Sequence, residues 1–121
     1  MAKGATTIEL QRAGRARFAY VRMAPRKLEG IVNLVRGRSV GEAVALLAVS
    51  VRRGAVPIRK LIQSAVANAD QRGGVDVDRL YIHRITVNEG PRMKRSRPRS
   101  RGMAHPILKR MSHLAVELIE R

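Results

Sequence analysis

The chain has 121 residues, room for one domain, and sets 25 Lys plus Arg against 9 Asp plus Glu, a formal charge of +16. Charge of one sign at that density is self-repelling unless a polyanion neutralises it, which points to nucleic acid or an anionic membrane as partner. The absence of cysteine excludes disulfides and thiolate metal sites; no apolar run approaches the ~20 residues of a spanning helix, and Met1 to Leu10 has neither the basic-then-apolar layout of a signal peptide nor, with Glu9 and no Ser, that of a transit peptide, so a cytoplasmic, nucleic-acid-bound protein is expected.

Residues 1–12 show no sustained period and predict a flexible N-terminal arm. Arg15 to Met23 alternates basic and apolar residues around Phe18 and Tyr20, the pattern of a strand. Pro25 suits the first position of a helix, where its missing N–H is not needed. Leu28, Ile31, Val32 and Val35 give that helix one buried face, and Gly37 is placed to end it in a left-handed conformation. Ser39 and Glu42 have the spacing of a capping box, each side chain satisfying the other's backbone N–H. Val40, Ala43, Val44 and Leu47 form the stripe that follows. A third helix, with Ile58, Leu61, Ile62, Ala65, Val66 and Ala69 inward, starts near Pro57 and stops at Gly73-Gly74.

After the glycines the period changes. Asp76 and Asp78 read as turn residues. Leu80 to Val87 and His113 to Ile119 are short, β-branched and strand-like. The order β-α-α-α-β-β predicts an α+β fold in which a three-stranded antiparallel sheet packs with three α-helices. Disorder throughout is excluded by the 45% hydrophobic content in regular stripes.

Between the last two strands lies the chain's densest charge. Six of the ten residues from Arg92 to Arg101 are basic: Arg92, Lys94, Arg95, Arg97, Arg99 and Arg101. Lys109 and Arg110 extend the run, and no acid falls between Glu89 and Glu117. A solvated basic loop is one reading. If the strands centred near residues 83 and 116 pair, however, the chain turns near residue 100, and both arms continue the ladder for about a dozen residues, ~40 Å. The expectation is a single domain over 1–121 with a protruding basic β-hairpin over 88–113. Such a ribbon has no core and is marginal in water; dense phosphate would stabilise it. Arginine forks match phosphate oxygens in pairs and stack on bases. The three aromatics are not spaced as a base-reading sheet requires, so RNA recognised by shape is the better fit. A second basic cluster, Arg12, Arg15, Arg17, Arg22, Arg26 and Lys27, would carry the RNA footprint onto the body. Glu89-Gly90-Pro91 reads as a bend or strand interruption.

His83, His105 and His113 have no converging Asp or Glu partners of the kind a metal site needs. No phosphate-binding glycine loop is present. No cofactor, metal or catalytic residue is expected, and the chain does not read as an enzyme.

Several segments resemble the universal family of ribosomal protein twenty-two of the large subunit, in its bacterial form, from about Ala13 to Glu120. They are Met23-Ala-Pro-Arg-Lys27, Ile31 to Gly37, Ser64 to Ala69, and the long block Asn88 to Val116. In that block E-G-P, M-K-R, R-P-R, R-G, K-R and S-H follow the family's order and spacing. The resemblance implies a structural constituent of the large subunit that binds several domains of ribosomal RNA, touches neighbouring large-subunit proteins and supports assembly. It also implies a hairpin that lines the nascent-peptide exit tunnel, with Met93, Lys94 and Arg95 at or near a narrowing and Arg99, Ser100, Arg101, Gly102, Met103 and Ala104 forming the tip, and the nascent peptide in the tunnel as a partner. Met103 departs from a position that is often basic in the family, and Met111 from one that is usually Thr. His105-Pro106 puts a proline in the returning arm, where local irregularity is expected. A free nucleic-acid-binding regulator or architectural factor is the alternative. A cationic membrane-active protein is disfavoured, because the basic run has no apolar face.

Overall fold

The computed structural model describes residues 12–121. Apart from Arg12, the arm expected over 1–12 lies outside the described residues. The elements are β1 (Arg12–Val21), α1 (Pro25–Val35), α2 (Val40–Val49), α3 (Ala55–Arg72), β2 (Leu80–Pro98) and β3 (Ala104–Glu120). Single 3-10 turns precede β2 (Val77–Arg79) and join β2 to β3 (Ser100–Gly102). β1 begins three residues earlier than its alternation suggested and ends at Val21, because Met23 turns back to donate its N–H to Val21 O at 2.8 Å.

The three helices bury the stripes read from the sequence. Leu28, Ile31, Val32 and Val35 of α1 are buried, and Gly37 has a φ of 78°. Each fully buried Leu or Ile contributes roughly 1.5–3 kcal/mol. The capping box at α2 is only half made. Ser39 Oγ accepts the Glu42 N–H at 3.4 Å, but the Glu42 carboxylate lies 3.9 Å from Arg38, whose charge competes with the backbone amide for it. α3 starts two residues before Pro57, which a first turn tolerates. It ends at Gly73, whose φ of 73° few other residues adopt. Asp76 caps the 3-10 turn through Oδ1, which accepts the Asp78 N–H at 3.0 Å.

β3 is the central strand of a β1-β3-β2 antiparallel sheet. Leu114, Val116 and Leu118 of β3 are buried with Leu80, Ile82 and Ile85 of β2. α3 packs mainly across β1 and α1 against β2, so the helices cover one face. The α1–α2 linker closes the outer edge of β2: Ile82 N donates to Arg38 O at 3.0 Å, and Arg36 reaches Ile85 O at 3.0 Å.

The contact between α3 and β1 needs small residues. A Cβ on Gly14 would run into the Ala65 carbonyl oxygen and stand 2.9 Å from Ala69 Cβ. Gly14→Ala is therefore expected to destabilise the chain by about 1–3 kcal/mol in urea unfolding. Gly41→Ala on α2, where a Cβ meets nothing within 4 Å, should leave stability unchanged or raise it by about 0.5 kcal/mol. Equal behaviour of the two variants would refute the close approach.

Candidate nucleic-acid interface

The ladder of β2 with β3 runs from Leu80↔Glu120 to Pro98↔Ala104, whereas β1 follows β3 only to Val21↔Ser112. Beyond that point two strands continue alone, and the turn falls at Ser100–Gly102, close to the expected residue 100. The ribbon extends about 30 Å past the last β1 pair at 3.3 Å per residue, less than the ~40 Å expected, because the turn and a bulge consume residues without advancing the ladder. The bulge lies between Glu89↔Ser112 and Arg92↔Arg110, at Gly90-Pro91. A Cβ on Gly90 would lie 3.2 Å from the Met111 backbone, so the E-G-P element keeps the two chains in contact there.

From Arg92↔Arg110 to Pro98↔Ala104 the register is unbroken, including Ser96↔Pro106. The irregularity expected at His105-Pro106 is absent. The ribbon has two open edges, and a proline whose nitrogen faces an open edge removes no ladder bond. Alternation places Arg92, Lys94 and Ser96 on one face with Pro106, Leu108 and Arg110. Met93, Arg95 and Arg97 share the other with His105, Ile107 and Lys109. Lys94 to Pro106 are exposed throughout, and Met93, Ile107 and Leu108 are half-buried. At the tip Arg99 N donates to Met103 O at 2.6 Å, and Arg101 takes a left-handed φ of 61° beside Gly102. Ala104 opens the returning strand.

Two arginines, Arg92 and Arg110, stand directly opposite each other, a like-charge pairing that opposes the ladder. The Glu89–Arg92 contact of 3.7 Å at the root is solvent-exposed and worth little. The bare ribbon is thus held mainly by its backbone bonds.

The second basic cluster divides in two. Arg15 and Arg17 lie on the sheet face away from the helices, Arg15 opposite Glu117 and Arg17 opposite Ala115. Arg84 flanks Glu117 from the other side. Arg22, Arg26 and Lys27 turn instead into a cleft of about 860 Å³ at the ribbon's root. There they meet Arg52, Arg53, Lys109 and Arg110, and no acid lines the cleft among the described residues. Arg52, Arg53 and Arg84 were not singled out from sequence. The first two are a mere dipeptide until the α2–α3 linker brings them against α1, where a Cβ on Gly30 would lie 3.1 Å from Arg52 Nη1. The cleft also contains the start of α1, where Ala24 offers no side-chain cap and the first turn holds no acid. Two cations, Arg26 and Lys27, sit where the helix dipole favours anions. An anion in the cleft would relieve both features.

The S-H element of β3 holds this corner together. Ser112, fully buried, donates its hydroxyl to Met23 O at 2.6 Å, a bond whose loss costs about 1–3 kcal/mol. The neighbouring His113 accepts the Tyr20 N–H on Nδ1 at 3.1 Å. Consecutive residues of the central strand thereby fix the β1–α1 turn that aims Arg22, Arg26 and Lys27. Among the described residues no three His, Asp or Glu side chains are grouped to hold a metal ion.

The sequence profile described as Ribosomal protein L22p/L17e matches residues 16–119. A protein of Thermotoga sp. named large ribosomal subunit protein uL22 is 48% identical over 102 residues, 84% of this chain and 64% of its own length, so the chain spans just under two thirds of that relative. The protein of the same name from Clostridium novyi is 44% identical over 107 residues, 88% of this chain and 96% of its own. That of Syntrophotalea carbinolica is 46% identical over 107 residues, 88% of this chain and 97% of its own.

Proposed function

The chain belongs to the Ribosomal protein L22p/L17e family, and from that premise we propose that its cationic cleft and ribbon bind large-subunit ribosomal RNA while the ribbon's outer part lines the path of the nascent peptide. Membership makes it a structural constituent of the large ribosomal subunit and not an enzyme. In the finer reading it works in the cytoplasm, beside neighbouring subunit proteins, and supports assembly by joining several RNA domains.

One observation carries the RNA-binding reading: Lys109 and Arg110 belong both to the ribbon and to the arginine-rich cleft, so a single cationic track runs from α1 onto the finger. A phosphate backbone is the polyanion that fits such a track. Arg22, Arg26, Lys27, Arg52, Arg53, Lys109 and Arg110 anchor it at the root, and Arg92, Lys94, Arg95, Arg97, Arg99 and Arg101 continue it outward. Arg15 and Arg17, with Arg84, offer a second face to RNA. Contacts of this kind set position more than they read sequence. The tunnel reading rests on the resemblance, which assigns Met93, Lys94 and Arg95 to a narrowing and Arg99 to Ala104 to the tip.

Two measurements test these readings. Replacing Arg26, Arg52 and Arg53 together by Ala should weaken binding to large-subunit RNA. It should also flatten the salt dependence, by up to about 0.9 log-log slope units per lost phosphate contact on the duplex-DNA scale. An unchanged slope would refute the cleft as an RNA site. For the tunnel, removing Met93–Ser96 with their partners Pro106–Lys109 shortens the ribbon by four pairs and keeps every remaining side chain on its face. A density map of subunits carrying this variant should show a wider tunnel around an unchanged body. A tunnel of unchanged width would contradict the assignment.

A further inference from the structure

Tyr20 stands where β1 leaves register with β3, between the pairs Phe18↔Leu114 and Val21↔Ser112. Its φ of 59° lies in the left-handed region, rare for a bulky side chain. Strain of this kind persists where surrounding contacts over-determine it, and it clusters at binding sites. Those contacts are present. The Tyr20 N–H is held by His113 Nδ1, the two rings meet edge to face with centroids 5.1 Å apart, and Ser112 fixes Met23 just beyond. Yet the residue is 64% exposed, so core burial does not account for an aromatic here.

The result is a rigid ring displayed to solvent, with exposed Arg17 and Arg22 three residues before it and two after it. We propose that Tyr20, positioned by His113, is a stacking platform for one unpaired base of the bound RNA, a reading that rests on the RNA-binding function above. Every base has a π-face, and stacking on an aromatic side chain tolerates any sequence. A ring fixed before binding loses little freedom when the base arrives. The flanking cations favour a nucleotide over an apolar protein segment.

The test uses the full chain bound to large-subunit ribosomal RNA, with zero-length ultraviolet crosslinking and affinity measured across salt concentrations. Tyr20→Asn removes the ring but suits the left-handed backbone, and Tyr20→Phe keeps the ring. The wild-type Tyr20 peptide should carry a nucleotide adduct. Tyr20→Phe should hold its affinity within about twofold, whereas Tyr20→Asn should lose about tenfold with an unchanged salt slope, since stacking releases no counterion. Wild-type affinity in Tyr20→Asn, or an adduct to a neighbouring protein in assembled subunits instead of to RNA, would overturn the platform. Failure of the wild-type chain to bind the RNA at all would overturn the RNA-binding reading beneath it.

Discussion

The register of β3 is the constraint on which both halves of the molecule depend. Side chains alternate with a period of two, so a slip of one residue would carry Leu114, Val116 and Leu118 from the core to the open face. Burial of those three residues therefore fixes β3 against β1 and β2. The same strand continues outward as one arm of the ribbon, where the described side chains offer no comparable core. The register chosen in the body is handed on through the bulge at Gly90-Pro91, and it decides which finger residues share a face. Ser112 and His113, at the junction, also hold the β1–α1 turn, so the placement of Arg22, Arg26 and Lys27 depends on the same strand.

What the body supplies in register it does not supply in stability. The ribbon sets Arg92 opposite Arg110, exposes nearly all of its outer residues and has open edges on both sides. At its root, α1 begins without a cap and with cations in its first turn. Each of these features is unfavourable in isolation, and each becomes favourable beside a polyanion. A protein selected to fold and act alone would place acids at the helix start and opposite charges across the strands. The folded chain and its anionic partner are better regarded as one electrostatic system.

Much of this was legible in the sequence. The helical stripes, the glycine stops and the position of the hairpin turn follow from periodicity, because burial on one face leaves a local signature. The cleft was only half legible. Arg22, Arg26 and Lys27 were visible as a cluster, but Arg52 and Arg53 join them only through the packing of the α2–α3 linker against α1, a tertiary contact with no periodic trace. The division of the second cluster between the sheet face and the cleft was hidden for the same reason, since β1 shifts register at Tyr20, just before the β1–α1 turn, through a left-handed residue that composition does not announce. The proline in the returning arm misled, because propensity counts a missing N–H as a lost bond and a two-stranded ribbon has open edges where none is made. Nothing near His113 in sequence signals its part in holding Tyr20, which depends on a contact across 93 residues.

Hydrogen exchange of the backbone amides, measured on the free chain and on the chain bound to large-subunit RNA, tests most directly the claim that the body sets the register and a polyanion supplies the stability. Amides of β3 from Leu114 to Leu118 should be protected in both states. Those from Arg92 to Arg97, and those of His105 and of Ile107 to Arg110, should exchange readily in the free chain and slow strongly once RNA is bound. Equal protection of the ribbon in both states would contradict the account, because the ribbon would then be stable by itself.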